Sequence, residues 1–90
     1  MGESSKATES YNEALEKCEQ ILSSAPKNYG ALYDKARCYA LQGNVDSAVE
    51  NLREAINLSS KCREGARTDS EFDAIRRDKH FQQLIEKVNV

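Results

Sequence analysis

The chain has no tryptophan, a single proline, one histidine and only two phenylalanines among its 90 residues, and its four glycines stand apart from one another. Isolated glycines give no Gly-rich loop to cradle a phosphate, so nothing in the sequence supports nucleotide binding. Zinc needs several ligands at close spacing, and His80 with three dispersed cysteines offers none; no metal and no cofactor are expected. Cys18, Cys38 and Cys62 are odd in number and about 20 residues apart, which fits a reducing compartment, read here as the cytoplasm, better than a disulfide framework. There is no excess of charge of one sign. Thirteen basic against fifteen acidic residues give a formal −2 and supply neither a field for nucleic acid nor a polybasic anchor for a membrane. No stretch has the apolar length of a membrane-spanning helix. The segment Met1 to Lys6 lacks the apolar core of a secretion signal and carries Lys6 where a myristoylation signal wants Ser or Thr.

What the sequence does contain is a repeat. Tyr11, Ala14, Leu15, Cys18, Ile21 and Leu22 recur in character as Val45, Ala48, Val49, Leu52, Ala55 and Ile56, each displaced by 34 residues. Their internal offsets put each set on one stripe of a helix. Ser10 with Glu13 reads as a capping box opening the first helix, and Pro26 stops it. Ala31, Leu32, Ala36 and Tyr39 mark a helix from about Tyr29 to a turn at Gly43-Asn44, where Asn44 or Asp46 caps the next. Short connections make these neighbours antiparallel.

On these residues the segment resembles a tetratricopeptide repeat. Leu32 takes the family's Trp place, Ala36 its Gly, Tyr39 its Tyr, Ala48 its first Ala, Leu52 its Phe and Ala55 its second Ala. Lys35 departs from the usual Leu and Ser60 from the terminal Pro, although Pro26 holds that place one copy earlier. The resemblance implies an all-α helical-repeat fold, and small residues at Ala36 and Ala48 let the paired helices approach closely.

The array is expected to begin within a repeat and to end on a cap. Residues 1 to 9 are polar and short, expected as a flexible or frayed extension; 10 to 28 supply the second helix of a partial repeat, 29 to 60 one full repeat, and 61 to 90 a short helix and a cap. Thr68-Asp69-Ser70-Glu71 offers another capping box, and Asp78 caps a last helix with Phe81, Leu84, Ile85 and Val88 on one stripe. Asp69, Glu71, Phe72, Ile75, Arg76, Asp78, Phe81 and Leu84 resemble a tail that closes some bacterial repeat proteins, D-x-D-F-x-x-L-R-x-D-P-x-F-x-x-L, with Lys79 in place of Pro. Phe72, Phe81 and Leu84 are expected to pack on the helix at Asn44 to Leu58, as a terminal cap must.

The family resemblance implies an interaction module, a small adaptor or the C-terminal part of a larger repeat protein, holding a protein or peptide in a concave groove and catalysing nothing. Outward groove positions on the helix after Tyr29 are Tyr33, Asp34, Arg37, Ala40 and Leu41, and Tyr33, Arg37 and Leu41 place an aromatic, a cation and an aliphatic on successive turns. Asp34 stands where a carboxylate-gripping clamp wants an amide, which disfavours chaperone tails. A homodimer through Tyr11, Leu15 and Leu22 is the alternative, because the first helix lacks its own partner. A thiol reaction at Cys38 or Cys62 and a phosphate contact at Arg76-Arg77 are the lesser alternatives. Cys18 at a stripe position reads as a small buried hydrophobe.

Overall fold

The computed structural model describes the backbone of residues 2 to 86 and side chains from Ser10 to Glu86; Val88 of the expected last stripe lies outside the described residues. Helices follow one another as α1 (Gly2–Ser24), α2 (Tyr29–Leu41), α3 (Val45–Leu58) and α4 (Lys61–Thr68), then a 3-10 helix (Ser70–Ile75) and α5 (Lys79–Glu86). No strand occurs among the described residues, and the protein has the all-α helical-repeat fold that the resemblance implies.

Most boundaries have a local cause. Ala25 precedes Pro26, whose ring disfavours helical backbone at the residue before it, and α1 ends at Ser24. Asn28 caps α2 by accepting from the backbone N–H of Ala31, and Asn44 caps α3 by accepting from Ser47 N–H. Between them Gly43 turns the chain at φ +80°, a left-handed conformation that a side chain would strain, and Asn44 N–H closes the turn on the Tyr39 carbonyl. Asp78 accepts from the N–H groups of His80 and Phe81 and so opens α5.

Two expected caps fall elsewhere. Ser10 lies inside α1, which starts at Gly2, so the Ser10–Glu13 capping box does not form; Glu3 to Ala25 contains neither Gly nor Pro to interrupt a helix. In the tail Asp69, not Thr68, is the cap. Its backbone is extended, its carboxylate accepts from Glu71 N–H, and the element it opens is a 3-10 helix.

The core lies where α2 meets α3. Ala36, Ala40, Ala48, Leu52 and Ala55 are all completely buried, so four alanines let the two backbones close on each other around one larger side chain. α1 flanks α2 on one side, with Leu22 packed on the core and Lys35 reaching 3.8 Å to Glu19. That contact explains why Lys35 is tolerated where the repeat usually has Leu: its aliphatic stem is covered and its ammonium meets a carboxylate.

On the other side the tail closes the hairpin, with one correction to its expected seat. Phe81 and Ile85 are buried where α5 meets α3 and α4, whereas the 3-10 helix packs chiefly on α2. Phe72, fully buried, meets Tyr33 of α2 edge-on at 5.6 Å between ring centroids and Phe81 at 5.4 Å. Three arginines finish the tail as caps on helix ends. Arg63 and Arg67 donate to the carbonyls of Leu84 and Ile85 at the end of α5, and Arg76 donates to those of Ala66, Arg67 and Asp69 around the end of α4.

Candidate functional site

α2 is flanked by α1 and by the 3-10 helix, so its exposed face is the floor of a shallow groove. Two side chains expected to reach outward from it are engaged within the chain. The Tyr33 hydroxyl donates to Asp69 Oδ2 at 2.9 Å. Arg37 Nε donates to Glu71 Oε1 at 2.7 Å and lies 3.4 Å from Asp69 Oδ2, while its Nη1 donates to Asp34 Oδ1 at 3.1 Å. The guanidinium also sits 5.9 Å from the centre of the Tyr33 ring. Burial and the hydrogen bond to Asp69 push the Tyr33 hydroxyl well above its usual range, and the bond to Glu71 holds the Arg37 guanidinium high against an opposing desolvation. One guanidinium thus faces three carboxylates and neutralises one of them.

Asp34 remains exposed beside this network, and Leu41 is 39% exposed at the end of α2. Ala40 is completely buried in the α2–α3 interface and cannot be a groove position; with a side chain of one carbon it goes wherever the hairpin packs tightest.

Two depressions open along this face. One, of about 390 Å³, lies between α1, α2 and the 3-10 helix, floored by Ala14, Cys18, Ile21 and Cys38 and rimmed by Lys17, Asp34, Arg37 and Glu71. The other, of about 340 Å³, lies between α2 and α4, with Tyr29 and Tyr33 as aromatic walls, the backbones of Gly30 and Gly65 exposed in it, and Asp34 and Lys61 at its edge. Asp34 borders both. A Cβ at Gly65 would stand 3.2 Å from the Tyr33 hydroxyl, so a larger residue there requires that ring to give by a few tenths of an ångström.

On α1, Tyr11 and Leu15 are half-buried and Leu22 packs against the core; among the described side chains of that helix Ile21 stands open, at 45%. Ile21, Cys18, Tyr29 and the tail carboxylates line the groove, although the sequence marks them only as stripe, helix-start and capping residues. For Ile21 a signal existed: it corresponds to the fully buried Ala55 one repeat later, so a larger residue stands where its covering is thinner.

The chemistry available is slight. All three thiols are buried and pushed above their usual range, first of all by that burial, which leaves them poor nucleophiles. His80 projects from the first turn of α5, 3.7 Å from Asp78. Among the described residues there is no cluster of three or more His, Cys, Asp or Glu side chains able to hold a metal ion, and no helix is long and apolar enough to cross a membrane.

A helical hairpin closed by alanines, extended by a helix before it and a helix after it, defines a repeat module, and the comparison with known families agrees. The tetratricopeptide-repeat family model matches residues 7–67, about two thirds of the chain, and the chain belongs to that family. It is similar to a protein of Arabidopsis thaliana whose name describes it as chloroplastic, with 30% identity over 80 residues that make up 86% of this chain and 24% of that protein. The chain therefore spans about a quarter of that relative's length. No solved structure matches the chain.

Proposed function

We propose that the chain is an interaction module that holds a peptide or helix of another protein on the exposed face of α2 and performs no chemistry itself. Repeats of this family generally mediate protein–protein interaction. The observation that carries the reading here is the pair of depressions joined at Asp34, because they offer apolar floor and polar rim together on one face. Of the expected contact residues, Leu41 and Asp34, the latter exposed although paired with Arg37, have the most surface open to a partner. Tyr33 and Arg37 contribute a wall while also fastening the tail, so replacing them by Ala tests stability and binding at once.

Cleaner variants follow from the geometry. Immobilised chain retrieves a partner from an extract of the source cells; Ile21→Asp, in the groove, abolishes retention, and Leu58→Asp, at the exposed end of α3, leaves it intact. The reverse pattern moves the binding surface to the other face and ends this reading.

A homodimer through α1 is the second reading, supported by the exposure of Ile21 beside the half-buried Tyr11 and Leu15. Solution mass that stays monomeric up to millimolar concentration removes it. The three free thiols fit a reducing compartment, the cytoplasm in the first instance, and the name of the relative places that protein in the chloroplast. Fractionation of the source cells decides between the two compartments.

A further inference from the structure

We infer that the groove selects an extended peptide segment with a basic side chain flanked two positions away on each side by apolar ones. The inference rests on the binding face proposed above and adds the chemistry of what lies on it.

Gly30, Asp34 and Cys38 are four residues apart and form one row along α2: Gly30 borders the α2–α4 depression, Cys38 the α1–α2 depression, and Asp34 both. At about 1.5 Å of rise per helical residue the row is roughly 12 Å long. An extended chain advances about 3.3 Å per residue and turns every second side chain to the same face, so positions 1, 3 and 5 of such a segment cover about 13 Å. Length and period therefore match with a side chain over each depression and one over Asp34.

Charge decides what each of the three is. At the centre the Arg37 guanidinium is shared by Asp34, Asp69 and Glu71, and it neutralises one of three carboxylates. A lysine or arginine of the partner over Asp34 would meet that surplus, whereas an acidic side chain would add a fourth negative charge. The outer depressions have apolar floors: Ile21, Ala14 and the two thiols at one end, the Tyr29 and Tyr33 rings at the other. Lys17 and Lys61 stand at these outer ends without an ion-pair partner among the described residues, so each outer depression has an ammonium at its edge. Two positive ends further disfavour placing the basic residue there.

The test uses the full chain and two blocked nonapeptides, each with leucines two positions either side of a central residue that is Lys in one and Glu in the other. Backbone amide shifts are followed by NMR as each is added. The Lys peptide moves the amides of Gly30, Asp34 and Cys38 and binds about fivefold more tightly than the Glu peptide, the upper range for an exposed charge pair. Asp34→Lys reverses that preference. Equal or tighter binding of the Glu peptide over the same amides overturns the charge assignment and leaves the groove as the binding face. Shifts confined to another surface, or none at millimolar peptide, overturn the inference, and retention of the natural partner by the Ile21→Asp variant then tells whether the groove reading falls with it.

Discussion

Replacing Phe72 by Ala tests whether the tail is part of the core or an attachment to it. The ring is completely buried, edge-on to Tyr33 of α2 and tilted against Phe81 of α5, so it joins an element before the repeat hairpin's turn to one after it. Phe-to-Ala changes at fully buried sites cost about 3–5 kcal/mol, from lost transfer energy and the cavity left behind. Because the truncation also removes both ring–ring interactions, this site is placed no lower than the middle of that range, about 4 kcal/mol. A 90-residue domain holds roughly 5–13 kcal/mol in all, so the variant stands close to the edge of folding. At about 4–8 °C per kcal/mol for a domain of this size, the melting temperature falls by roughly 15–30 °C. Urea unfolding followed by far-ultraviolet circular dichroism measures the loss, with Phe72→Leu as a milder companion expected to cost about 1–1.5 kcal/mol. One transition with an unchanged slope on urea means that tail and repeat unfold as a unit. A loss below about 1 kcal/mol, or a separate early transition for the tail, would refute the claim that Phe72 ties α2 to α5.

Two further outcomes follow from the same packing. Gly65→Ala gains about 1 kcal/mol of helix propensity in isolation, but its Cβ meets the Tyr33 hydroxyl, which Asp69 holds in place; the substitution is expected to be neutral or destabilising in the natural chain and stabilising by about 0.5–1 kcal/mol when Tyr33→Phe is also present, and additive effects of the two changes would contradict the contact. The three thiols and the Tyr33 hydroxyl have their proton affinity raised in the folded chain, chiefly by burial, so above the ordinary thiol value of 9.0 the unfolded chain loses protons that the folded chain keeps. Stability from these groups is fully present below that value and falls as pH rises through and beyond it, seen as a declining urea midpoint between about pH 8 and pH 10; a rising midpoint there would show the sign to be wrong.

The repeat was legible in the sequence because its evidence is periodic. Ala48, Val49, Leu52, Ala55 and Ile56 declare a buried stripe by spacing alone, and the structure buries all five. Asp78, and Asn44 offered together with Asp46, declared helix starts because a side-chain acceptor before an apolar stripe has few other uses, and the structure chose Asn44 over Asp46. Ser10 carried the same local signal and failed, since the helix already running through it made a cap unnecessary. At the groove, helical spacing placed Tyr33, Asp34 and Arg37 on one face of α2, but spacing within one helix cannot show what covers that face. The occupants, Asp69 and Glu71, come from about 35 positions further along the chain, and their approach depends on how α4 and the 3-10 helix return across α2.

The 34-residue period by itself determined paired amphipathic helices between Tyr29 and Ser60, and the motif it carries gave the resemblance to the tetratricopeptide family, because an apolar stripe and a small residue at a close crossing act through their immediate neighbours. The tertiary structure alone decided that the tail rests on α2 through Phe72, that Tyr33 and Arg37 are anchored to Asp69 and Glu71, and that Asp34 stands between two depressions. Those are contacts between distant segments, fixed by which packing buries the aromatic rings while giving the Tyr33 hydroxyl and the Arg37 guanidinium carboxylate partners, and no local pattern encodes that choice.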